Sequence, residues 1–149
     1  MKKKILTLAI LGAVITLAAP AQAADNKRMM PIATALAEND AQGRLGDSVR
    51  FYFGSQPTPK VLQKLGSDTT SQKTNAFNKT AEKACNWVFL SDMLSLQKRA
   101  REMSANAVVN IVSNYDHVKN SSTTEFECHV GALMAGVAFK ADFVKIADK

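Results

Sequence analysis

The sequence is poor in the groups on which most enzymatic chemistry depends. Two histidines and two cysteines occur in 149 residues. Two imidazoles are too few for a His-rich zinc centre. The cysteines, Cys85 and Cys128, form neither a CxxC redox pair nor a zinc-finger spacing. No glycine-rich turn ends in Gly-Lys-Ser/Thr, the arrangement in which backbone N–H groups and a lysine hold phosphates. No serine is flanked by the glycines of a nucleophile elbow, although composition alone leaves a Ser-His-Asp set open. Paired acids for glycoside hydrolysis do not stand out from ordinary surface carboxylates. Catalysis is therefore not expected. There is no internal repeat, and only one long hydrophobic run.

That run carries an address. Lys2, Lys3 and Lys4 precede an uncharged apolar stretch from Ile5 to Ala19, then Pro20 and the triplet Ala21-Gln22-Ala23. This is the layout of a secretory signal peptide cut after Ala23. The competing reading, an uncleaved anchor, suffers from a run shorter than the roughly 20 residues a span needs. No cysteine lies near the cut to be lipidated. Residues 1–23 are thus read as a cleaved signal, and the mature chain as a periplasmic protein without a membrane span. Cleavage removes three basic residues and no acidic ones, so the formal charge falls from +6 to +3. Much of the high pI belongs to the signal, and nucleic acid is not expected as a partner. The Lys98-Arg99-Arg101 cluster reads as a solvated helix face or a partner site.

The remaining chain is long enough for one domain with a core. Asp25 to Met30 reads as a mobile leader, and residues 31–46 as one or two short helical turns, so that residues 24–47 precede a domain spanning 48–149. Ser48 to Gly54 alternates Val49, Phe51 and Phe53 against Arg50 and Tyr52, which predicts a strand ended by Pro57 and Pro59. Gly66 to Asn78 is polar, and reads as a second, edge-like strand pairing with the first in preference to a loop.

From Thr80, an adequate N-cap, a long helix is predicted. Cys85, Phe89, Met93, Leu96, Ala100 and Met103 draw one stripe, and Trp87, Val88, Leu90 and Leu94 widen it until the middle is apolar nearly all round, hence deeply covered. Ala107 to Tyr115, Thr123 to Val130 and Val137 to Ile146 read as three further strands. The expectation is a two-layer α+β domain with one long helix on a mainly antiparallel sheet of four to five strands.

Two constellations stand out. Cys85 on the helix stripe and Cys128 on the strand face shared with Phe126 and Val130 both point into the interlayer space, a disulfide candidate in an oxidising compartment and otherwise two buried thiols. Glu125, Glu127 and His129 share the other strand face. With Asp116 and His117 from the preceding loop as further donors, Glu127 and His129 are candidate metal ligands, against the plainer reading of a solvent face or a surface meeting another protomer. The aromatics Trp87, Phe51, Tyr52 and Phe53 read as core or as the lining of a groove.

FYFG (Phe51 to Gly54), KTNAFNKT (Lys73 to Thr80), CNWVFLSDMLSLQ (Cys85 to Gln97) and NAVVNI (Asn106 to Ile111) resemble an uncharacterised family of small secreted proteins often labelled excinuclease ATPase subunits. Lacking a phosphate-binding loop, this chain does not support that label, and ATPase and DNA-repair activity are rejected. The stretch from Lys98 to Asp116, with the strands after it, also resembles YbjQ-type and RcsF-type domains. That resemblance implies a β-rich sheet with one long helix, assembly into a homo-oligomer, and a metal-binding label. The RcsF-type lipidated cysteine, proline-rich tether and four-cysteine pattern are absent, so neither surface tethering nor that disulfide arrangement transfers. The expected function is a non-enzymatic binding or sensing module acting through strand edges and loops on another envelope protein, with no cofactor. Alternatives are a metal- or small-ligand-binding protein using His129, Glu127 and His117, and a purely structural oligomer.

Overall fold

The computed structural model describes residues 25–147, and the segment read as a signal peptide lies outside them. Six strands, two short helices and one long helix follow one another: β1 (Asn26–Pro31), α1 (Ile32–Ala37), α2 (Ala41–Leu45), β2 (Arg50–Phe53), β3 (Val61–Asn75), α3 (Ala81–Glu102), β4 (Ala107–Ser113), a 3-10 turn (Tyr115–His117), β5 (Glu125–Val130) and β6 (Met134–Ile146). The architecture is α+β, a curled mixed sheet with one main helix.

β6 is the spine of the sheet because its pattern suits a central strand. Val137, Phe139, Ala141 and Phe143 turn one buried face to α3. Along one edge β3 runs antiparallel from Val61↔Ile146 to Asn75↔Met134. The other edge is shared: β5 pairs with the start of β6, and β4 with its later part from Ser113↔Phe139 to Ala107↔Val144. β2 then adds parallel to β4, and β1 antiparallel to β5, giving the order β1-β5-β6-β4-β2. The parallel pair makes the sheet mixed.

Three readings from the sequence need correction. The supposed leader is strand β1, registered on β5 from Asn26↔Val130 to Pro31↔Glu125. Its residues have no marked β propensity, and what holds them is the open edge of β5, with proline at the strand end where no ladder donor is required. Counting β1 raises the sheet to six strands. The polar stretch after Gly66 is the later part of the 15-residue β3, and it pairs with β6 rather than with β2. Its inward residues meet polar groups of α3: Gln72 Nε2 donates to Ser95 Oγ at 3.0 Å, and Arg99 Nε reaches Asp68 Oδ2 at 3.0 Å. With both faces polar, no hydrophobic alternation announced the strand. Lastly, Trp87 is 46% exposed. One helix lying on one sheet has a single face to bury, and Trp87 projects from the other.

α3 otherwise follows its sequence signals. Thr80 Oγ1 accepts the Lys83 N–H at 3.2 Å, Glu82 occupies the first turn, and Arg99 and Arg101 the last, as capping and the helix dipole favour. Cys85, Phe89, Met93, Leu96 and Ala100 are buried against the sheet. Phe89 is the hub of an aromatic cluster, with ring centroids 4.5 Å from Phe126, 5.9 Å from Phe139 and 6.0 Å from Phe53. Ile32, Ala35, Ala41 and Leu45 of α1 and α2 join this same core, and Gln97 Nε2 donates to the Leu45 carbonyl.

Gly54 ends β2 with φ +53°, and its N–H donates to Ile111 O at 2.9 Å. A Cβ there would lie 3.0 Å from the Ser122 carbonyl oxygen. Left-handed strain and a backbone clash therefore act together. Gly54→Ala is expected to lose roughly 2 kcal/mol, read as a lowered urea midpoint at unchanged slope.

Candidate functional site

On the outer face of β5, opposite α3, a chain of charged contacts runs across the strand. Register places Lys27 opposite His129 and Met29 opposite Glu127. The loop from Asn114 to Thr124 then folds over this face, with Ser113 and Asn120 exchanging backbone hydrogen bonds. Glu127, which alternation assigned to solvent, is only 4% exposed beneath that cover. Its Oε1 lies 2.6 Å from His129 Nε2, while Oε2 receives Lys27 Nζ at 2.9 Å and Asn120 Nδ2 at 3.2 Å. Burial pushes the Glu127 carboxyl up, but His129, Lys27 and Asn120 together outweigh it and hold the group below the usual carboxylate range. On the far side of the imidazole, Nδ1 lies 3.1 Å from Asp25 Oδ2. Tyr115 stacks on the His129 ring at 3.6 Å with only 4° between the planes. Burial first, then the charges of Asp25 and Asp116, raise the Tyr115 phenol above its ordinary value.

Chemically this is a clasp. Both imidazole nitrogens face carboxylate oxygens and one ring face is covered by Tyr115, so the ring lacks a free lone pair aimed at an open coordination position. The structure brings together His129 and Glu127 of the candidate metal set and sets His117 apart. His117 lies beyond Tyr115 in a left-handed conformation (φ 64°), in a separate hollow of about 360 Å³ with Asn114, Thr69, Ser71 and Lys73. Among the described residues no three His, Cys, Asp or Glu side chains converge as a metal-holding group. Glu125 is exposed, at the end of the strand paired with Pro31.

The cysteines do meet. Cys85 of α3 and Cys128 of β5 form a disulfide, with sulfurs 2.06 Å and Cα atoms 5.9 Å apart, both fully buried. This geometry is compatible with an extracytoplasmic location. No helix of the described residues is long and apolar enough to cross a membrane.

A larger recess of about 850 Å³ is lined in part by Phe51, Tyr52 and Phe53, for which the sequence left a groove open beside the core reading. It lies between β2 and the α1–α2 segment, with Ile32, Leu36 and Leu45 on one side, Val49, Phe51 and Phe53 on the other, and Gln42, Asp47 and Gln56 among its polar residues. Its special feature is backbone. Arg50 N–H donates to Asn106 O at 3.0 Å and Gly54 N–H to Ile111 O, so both turn toward β4. Residues between them at odd positions therefore turn outward. Phe53 N–H is taken by Gln56 Oε1 at 2.8 Å, whereas Phe51 faces a sheet edge with no strand beside it among the described residues. The prolines after Phe53 were the available signal, since they mark an edge strand. What could not be read was that two short helices stand off from that edge.

Comparison with family models, with curated proteins and with solved structures gives no match.

Proposed function

We propose that this chain is a non-enzymatic binding module of the periplasm, exported by its N-terminal signal, which takes an extended segment of another envelope protein into the recess beside β2. The observation that supports it is the outward Phe51 backbone of an edge strand lying in an apolar cleft. Strand addition uses main-chain hydrogen bonds for affinity and side-chain pockets for selection. The cleft volume is within the range of natural ligand sites. Gln56 closes the edge at Phe53 and sets where an added strand must stop. The RcsF-like stretch of sequence agrees with an envelope-sensing role, and the absence of catalytic motifs with a non-enzymatic one.

The test is site-specific photo-cross-linking from position 42 in intact cells, followed by mapping of the captured stretch. A synthetic peptide of that stretch is expected to slow exchange of the Phe51 amide, and Leu36→Asp, assayed at a temperature where the variant is folded because Leu36 packs on the core, to abolish capture. Capture of a second copy of this chain would replace the proposal with a homo-oligomer. A captured peptide that leaves the Phe51 amide exchanging freely would remove strand addition as the mode.

A further inference from the structure

Trp87, the chain's one tryptophan, stands on the outer side of α3 with Arg44 Cζ 5.8 Å from its ring centroid. Lys83, one turn earlier, and Lys79, just before the helix, line a hollow of about 220 Å³ with Trp87 and Asn39. Asn39 Nδ2 is buried and without a hydrogen-bond partner. Lys79 Nζ gives one hydrogen to Asn75 O at 2.8 Å and keeps two. On the same entry loop Phe77 is 58% exposed. The exposed carboxylates of this end, Glu38, Asp40 and Glu82, do not line the hollow, and Glu38 is turned to Asn86 Nδ2 at 3.1 Å. Two large exposed aromatics are a cost in water that core packing does not explain. Aromatic rings among ammonium and guanidinium groups suit the headgroup layer of a bilayer with negative surface charge.

From this arrangement we infer that the N-terminal end of α3 is a peripheral docking surface for anionic phospholipid. Trp87 and Phe77 enter the headgroup layer, while Lys79, Lys83 and Arg44 meet lipid phosphates. The surface is independent of the recess beside β2, and either can fail without the other.

Because Trp87 is the single indole, its emission reports this patch directly. The exported chain, recovered from a periplasmic extract, is titrated with vesicles of phosphatidylcholine alone or mixed with phosphatidylglycerol, and sedimentation is followed in parallel. The expected result is a blue shift and co-sedimentation with the anionic vesicles only, both weakening with added salt. Lys79→Ala with Lys83→Ala is expected to lower partitioning roughly 30-fold, since each lysine at such a surface is worth about a factor of five. Trp87→Ala is expected to reduce sedimentation. No shift with anionic vesicles, or an equal shift with zwitterionic ones, overturns the proposal. So does a shift produced by inorganic phosphate alone, which would identify a soluble anion instead.

Discussion

Opening the Cys85–Cys128 bond is expected to lower stability by about 4 kcal/mol. The two cysteines are 43 positions apart, and in the chain-entropy relation a cross-link of that span removes freedom from the unfolded chain worth roughly that amount. For a domain of this size the loss corresponds to a fall of roughly 12–20 °C in melting temperature. The bond ties the N-terminal part of α3 to β5, the strand on which β1 depends, so its loss is felt across the sheet. Two comparisons separate cross-linking from packing. Protein unfolded, reduced and refolded keeps every core atom and adds two hydrogens, so its deficit reports the cross-link. Cys85→Ala with Cys128→Ala also leaves a void beside Phe89 and Phe126, and is expected to melt somewhat lower still. Both sulfurs are buried, so reductant without denaturant is expected to act only at the rate of transient opening. A melting temperature unchanged by reduction, with free thiols verified, would contradict the account.

The parts of the fold that were legible in sequence are those whose burial is one-sided and apolar. α3 announced itself through Cys85, Phe89, Met93, Leu96 and Ala100, and its start through Thr80. β4 announced itself through its β-branched residues, and β5 and β6 through alternation. β1 escaped, and β3, read as a strand or a loop, was given the wrong partner, because in each case a neighbour rather than its own composition holds the strand. β1 is recruited by the edge of β5. β3 packs its polar inner face on polar residues of α3, so its pattern carries no hydrophobic period. Trp87 misled for the complementary reason: an indole on a mostly apolar helix looks like core unless the number of layers is known. The site behaved likewise. His129 and Glu127 were correctly placed on one face, since period two alone fixes that. Their partners Asp25, Lys27, Tyr115 and Asn120 come from β1 and the Asn114–Thr124 loop, whose fold over β5 has no local signature. The recess beside β2 depends on where α1 and α2 stand, which is tertiary information altogether.

The polar seam between α3 and β3 yields the second large effect. Asp92→Asn is expected to stabilise the protein above pH 7. Asp92 is fully buried on α3, and neither of its carboxylate oxygens has a hydrogen-bond partner. Desolvation pushes its pKa from 3.8 up to about 7; the Thr70 hydroxyl on β3 pulls the other way, but it forms no hydrogen bond to the carboxylate and offsets little of the rise. A carboxyl whose pKa is raised by folding contributes its full stability below the unfolded pKa, near pH 4. That contribution drains away as pH rises through the folded value near 7, because the native state holds a proton that the unfolded chain has released. The difference of about three pKa units sets the loss on the order of 4 kcal/mol at pH 8. Asparagine keeps the shape and removes the charge. Its melting temperature is therefore expected to match that of the wild type near pH 4 and to exceed it increasingly up to pH 8. Glu127 and Asp142 run the other way, since burial raises each carboxyl but hydrogen bonds and lysines outweigh it and hold both below the usual range. Their contribution is present at neutral pH and lost as pH falls through their folded pKa values. They act equally on wild type and variant, so the difference curve isolates Asp92. A gain from Asp92→Asn that is the same at pH 4 and pH 8 would show that packing, not the buried charge, is responsible; a loss at pH 8 would show that the carboxylate finds a partner in the seam.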